Sequence, residues 1–111
     1  MKNKNLLITG AATRVGKAIA IHFAEKGWNI AIHYFRSYSK AMKLKKKIEQ
    51  KCVKVALIKA DLKNPKQTEK IIPLARKKLG PIDCIVNNAA LFEKDDIANF
   101  AYLINVHSIS S

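Results

Sequence analysis

Asn5-Leu6-Leu7-Ile8-Thr9-Gly10-Ala11-Ala12-Thr13-Arg14-Val15-Gly16 decides the reading of this chain. Residues 5–9 form a short apolar run, as expected of a strand buried on both faces. Gly10 and Gly16 bracket a tight turn, and a helix-period segment follows. Glycine lets a backbone approach a pyrophosphate, and the helix start behind it offers free N–H groups and positive partial charge. A glycine pair alone is a weak signal. Its place between a strand and a helix, near the N-terminus, makes it a strong one.

Outward from that turn, strands and helices alternate. Residues 15–26 carry apolar side chains at 15, 18, 19 and 23, the spacing of one helical face, with Gly27 as the C-terminal cap. The second strand is expected over Trp28 to Tyr34. Ser37 or Ser39 then caps a helix that reaches about residue 51, with lysines outward. Val53 to Lys59 is the third strand. Asn64-Pro65 opens another helix, with Pro at its first position. It runs to about Leu79 and ends at Gly80-Pro81; Pro73 implies a kink or a late start. Ile82 to Asn87 is the fourth strand, and after a loop Ile97 to Ser111 is expected to be helical. This pattern predicts an α/β fold: a Rossmann-type parallel sheet in the order 3-2-1-4 with flanking helices, residues 1–111 forming the N-terminal part of one domain.

Composition narrows the function classes. The 111 residues carry a net charge of +13, nearly all from lysine. Such a field attracts polyanions, but no aromatics interleave with the lysines to stack on bases, so nucleic acid is not the expected partner. No run of about 18 apolar residues is present, and the apolar N-terminal segment is too short for a signal peptide; a cytosolic protein is expected. Cys52 and Cys84 fit no metal spacing, and Cys84 reads as a small core residue.

The turn, together with Val86-Asn87-Asn88-Ala89-Ala90, resembles the short-chain dehydrogenase/reductase family. That family moves hydride between a nicotinamide cofactor and a carbonyl or imine. Thr9-Gly10-Ala11-Ala12-x-Arg14-Val15-Gly16 with His33-Tyr34-x-Arg36-Ser37 is similar, more narrowly, to the pteridine reductases. Those enzymes use NADPH to reduce biopterin-like or folate-like rings.

The resemblance implies roles for particular residues. Gly10, Arg14, Val15 and Gly16 form the phosphate turn, with Arg14 in place of the usual middle glycine. The segment His33, Tyr34, Arg36 and Ser37 lacks the acid that NAD binders place after the second strand; an acid would repel a 2′-phosphate, whereas Arg36 and Ser37 suit one. NADP(H) is therefore expected over NAD. Asp61 and Leu62 lie against the adenine in the family, although a turn or capping role for Asp61 is the alternative. Asn88, Ala89 and Ala90 leave the fourth strand beside the cofactor, and Ala90 stands where the subgroup often has Ser. Phe92 matches an aromatic that stacks on the pterin, or else packs as a loop residue. Asn105 matches the Asn whose backbone holds a water in the proton relay.

The family's catalytic Ser and Tyr-x-x-x-Lys have no counterpart: none of Tyr34, Tyr38 and Tyr102 is followed four residues later by Lys. The expectation is a chain truncated before those groups and inactive alone. The alternatives are a non-catalytic NADP-binding half-domain or a subunit that needs a partner carrying the missing Ser and Tyr-x-x-x-Lys, and last a basic polyanion-binding protein; a complementing C-terminal fragment or a homo-oligomer is the expected assembly. An unpaired flank on the fourth strand predicts marginal stability or self-association.

Overall fold

The computed structural model describes residues 3–11 and 13–88. Its elements in chain order are β1 (Asn5–Thr9), α1 (Arg14–Glu25), β2 (Asn29–Tyr34), α2 (Tyr38–Glu49), β3 (Val55–Lys59), α3 (Pro65–Leu79) and β4 (Cys84–Asn87). The four strands form one parallel sheet in the order β3-β2-β1-β4. The expected order is therefore the observed one. The helix expected over 97–111 lies outside the described residues.

Strand alternation sorts the core into two layers. On one face Leu6, Ile8, Ile30 and Ile32 meet Ala20 and Ala24 of α1 and Leu44 and Ile48 of α2. On the other, Leu7, Ala31 and Ile58 meet Ile71, Ile72 and Ala75 of α3. Successive side chains of a strand point to opposite faces, so a central strand with helices on both sides is apolar over its middle residues, its buried polar groups lying towards the ends. All five residues of β1 are buried.

Two details differ from the sequence reading. The buried stripe of α1 is Gly16, Ala20 and Ala24, whereas Val15 is 60% exposed and Ala18 faces solvent. Small residues carry this contact because α1 lies close over the glycine turn and β1. In addition, α3 continues through Pro73 without a break, because its start at Asn64 is well capped and the proline sits on the exposed face. Asn64 Oδ1 accepts from the backbone N–H groups of Lys66 (3.0 Å) and Gln67 (3.4 Å). Ser37 stands at the N-cap position of α2 but makes no side-chain capping bond. Cys84 is half-buried against the core, as befits an outer strand among the described residues.

A relay of amides joins the N-terminal ends of the strands. Asn29 Nδ2 donates to Asn5 Oδ1 (2.9 Å), while Asn29 Oδ1 accepts from the Lys54 N–H (2.9 Å). Asn5 Nδ2 donates to the carbonyls of Leu79 (3.2 Å) and Pro81 (2.8 Å). Asn5 N–H also donates to Asp83 Oδ2 (2.8 Å), and Asp83 N–H returns to Asn5 O (2.9 Å). These contacts satisfy buried polar groups and fix the register at one edge, which leaves the opposite, C-terminal edge for the site.

Candidate functional site: a glycine turn and a basic cleft at the strand ends

The turn after β1 is held by one hydroxyl. Thr13 Oγ1 donates to Gly10 O (2.8 Å) and accepts from the N–H of Gly16 (3.2 Å) and from Asn88 Nδ2 (3.0 Å). One donor and two lone pairs are all a hydroxyl has. Asn88 Nδ2 reaches Gly10 O as well (3.3 Å), and Asn88 N–H donates to Thr9 Oγ1 (3.0 Å), which itself donates to Asn87 Oδ1 (3.0 Å). The end of β4 is thereby fastened to the turn after β1.

Both glycines are required by geometry. Gly10 has φ +65°, the left-handed region that disfavours a side chain. A Cβ at Gly16 would lie 2.7 Å from Asn88 Nδ2 and 2.8 Å from Ala11 Cα, and closer still to Gly10 O. Arg14 and Val15 sit exposed on the first turn of α1, beside this loop. The cradle is thus narrow on its protein side and open on its outer side. It presents a helix N-terminus, which suits a phosphate.

His33 corrects the expectation that it contacts a cofactor. It is 3% exposed, and both ring nitrogens are engaged inside the protein. Nδ1 accepts from the Gly10 N–H (3.3 Å), so Nε2 carries the proton that it donates to Ala60 O (2.9 Å). Burial holds its pKa below the ordinary 6.5, with the Ala60 hydrogen bond opposing in part. His33 is a neutral brace between the glycine turn and the end of β3.

Past the ends of β2 and β3 lies a cavity of 360 Å³ lined by Tyr34, Phe35, Arg36, Tyr38 and Lys59. No acid lines it. The Arg36 guanidinium stands 5.2 Å from the centre of the Phe35 ring, and the rings of Tyr34 and Tyr38 lie 5.8 Å apart. Ser37 is exposed beside it. Asp61 takes a turn role: Oδ1 accepts from the Lys63 N–H (3.0 Å), and its own N–H donates to Gln67 Oε1 (2.8 Å). Leu62 packs half-buried against the α3 layer. A larger hollow of 490 Å³, at the far end of α3 around Ile72, Arg76 and Pro81, has no Asp, Glu, His or Cys among the described residues of its lining.

The fold therefore brings Gly10, Arg14, Val15, Gly16 and Asn88 together at one strand end and Tyr34, Arg36 and Ser37 at the next. Ala89, Ala90, Phe92 and Asn105 lie outside the described residues. Sequence reasoning missed Thr13 and Lys59. The signal for Thr13 was a threonine three residues before Gly16 at a helix start; that for Lys59 was a lone charge closing an apolar strand.

Residues 4–110 match the family model described as short chain dehydrogenase. The chain belongs to the short-chain dehydrogenase/reductase family. It is 34% identical over 95 residues to the 3-oxoacyl-(acyl-carrier-protein) reductase of Staphylococcus epidermidis, which covers 86% of this chain and 38% of that protein. It is 36% identical over 89 residues to general stress protein 39 of Bacillus subtilis, covering 80% and 31%. Among solved structures, the FolM alternative dihydrofolate reductase 1 of Brucella canis, complexed with NADP, superposes with a TM-score of 0.85 at 28% identity, over 97% of this chain and 49% of that one. A blue fluorescent protein from a metagenomic library, in complex with NADPH, gives 0.88 at 26% identity, over 99% and 51%. The chain thus spans about a third of these curated relatives and about half of these solved structures. No helix among the described residues is long and apolar enough to cross a membrane.

Proposed function

We propose that this chain carries the NADP(H)-binding half of a short-chain reductase. The observation that carries this reading is the cleft, free of acids among the described residues, that holds Arg36 and Lys59 beside a glycine turn at a helix start. Gly10, Gly16 and the first turn of α1 hold the pyrophosphate, with Arg14 beside it. Arg36 and Ser37 take the 2′-phosphate, and Tyr34 walls their cleft. Leu62 and Asp61 border the adenine, and Asn88, Ala89 and Ala90 border the ribose. When bound, the reduced nicotinamide supplies hydride. The chain's own task is to fix the dinucleotide along the strand ends, with Asn105 holding a water of the proton path. The titration that tests it compares NADPH with NADH. Tight binding of NADPH and much weaker binding of NADH supports the reading; equal affinities or a preference for NADH refute it.

For substrate we propose a flat, pterin-like ring stacked on Phe92. The motif Arg14-Val15-Gly16 with His33-Tyr34-x-Arg36-Ser37 supports this, as does the likeness to the NADP-bound FolM protein. These 111 residues contain no Tyr-x-x-x-Lys, so the general acid, worth typically 10²–10⁴-fold, must come from elsewhere. The chain alone is expected to bind cofactor without turnover. Activity is expected only with a complementing segment or partner that supplies Ser, Tyr and Lys, which a second copy of these 111 residues lacks. Both cysteines are free thiols, in keeping with a cytosolic setting.

A further inference from the structure

Resting on the NADP(H) reading, we propose that Lys59 is a second phosphate-binding cation that, with Arg36, selects a 2′-phosphorylated adenosine. Lys59 ends β3 and is paired in register with Tyr34, the last residue of β2. Register partners on neighbouring strands project to the same face. The burial of β3 alternates along Val55–Ile58, and Lys59 closes it exposed. Lys59, Arg36 and the aromatic rings of Tyr34, Phe35 and Tyr38 line the same cavity. Among the described residues the ion pairs are Lys45–Glu49 and Lys51–Glu25, so neither Arg36 nor Lys59 is neutralised by a carboxylate there. Two uncompensated cations at one cleft call for a ligand group of more than one negative charge. A phosphate monoester carries about −1.5 to −2 at neutral pH. Arginine, steadied against Phe35, offers a planar fork, while lysine adds a point charge that a hydroxyl-bearing ribose does not need. Lys59 is thus a specificity residue: it discriminates the phosphorylated ribose and leaves the rest of the adenosine untouched.

The test uses 2′,5′-ADP and 5′-AMP as probes, titrated calorimetrically into the 111-residue chain and its variants. Wild type is expected to prefer 2′,5′-ADP. K59M is expected to weaken 2′,5′-ADP about tenfold and to leave 5′-AMP within about twofold. K59R is expected to retain the preference. K77Q, a charge change at the far end of α3, is expected to retain it too, which separates the local cleft from the general field of a +13 chain. If wild type shows no preference for 2′,5′-ADP, the NADP(H) reading fails and takes the Lys59 proposal with it. If wild type prefers 2′,5′-ADP and K59M does so equally, or if K59M and K77Q weaken it alike, the Lys59 proposal alone is overturned.

Discussion

Gly16 is the residue on which the turn after β1 depends. Its missing Cβ makes room for Gly10 O, Asn88 Nδ2 and Ala11 Cα at once, and two of those three are backbone atoms that cannot swing away. Gly16→Ala is expected to destabilise the chain by about 1–3 kcal/mol and to abolish dinucleotide binding, as seen by thermal melts and by NADPH titration. His33 makes a different prediction. Its folded pKa lies below the unfolded 6.5, so the unfolded chain takes up the proton first. Stability is full above pH 6.5 and falls, by up to about 1.4 kcal/mol per pH unit, as pH drops below it towards the folded pKa. Denaturant melts at pH 7.5 and 5.5 check this. His33→Gln is expected to remove the slope assigned to this group while lowering stability at both pH values. The nature of His33 was not legible in the sequence. Beside an arginine and a serine it reads as one more ligand contact. Only the register of β2 against β1 and β3 shows both nitrogens spent on Gly10 and Ala60.

Among the elements, α3 was the most legible, because Asn64, Pro65 and Gly80 mark its ends by local chemistry. Removing the cap with Asn64→Ala is expected to cost about 1 kcal/mol. Pro73 was harder to place, since a proline in sequence signals a break whether or not the helix tolerates it. Here it lacks the N–H that Glu69 O would accept and lies exposed, so Pro73→Ala is expected to raise stability by about 1–3 kcal/mol. Matched melts of the two variants against wild type test both expectations. In α1 the apolar periodicity pointed to Val15, Ala18, Ile19 and Phe23; Ile19 and Phe23 do pack half-buried against the core, but the fully buried stripe is Gly16, Ala20 and Ala24. Hydrophobicity scales favour large side chains, but a helix pressed against a glycine turn selects for small ones. Lys59 escaped notice for a related reason: which face a strand-end charge takes depends on pairing with β2, and pairing is not a local property.

For the molecule as a whole, the parallel sheet followed from alternation and its order from the Rossmann arrangement that the glycine turn signals, whereas the electrostatic balance needed the structure. A chain of +13 with two ion pairs among its described residues repels itself. Its melting temperature is expected to climb with added salt and to level off towards 1 M, where the screening length is about 3 Å. A flat or falling dependence would mean that the lysines are compensated by groups beyond those described. The hydrogen bonds of Asn88 carry one more consequence, for the order in which the protein matures. Gly10 and Thr13 emerge early in synthesis, yet the side chain that fastens them arrives 78 and 75 residues later. Until β4 docks beside β1, these bonds cannot form and the turn stays unfastened. On the NADP(H) reading, a dinucleotide present during translation would act on that closure, drawing a late, long-range step towards completion.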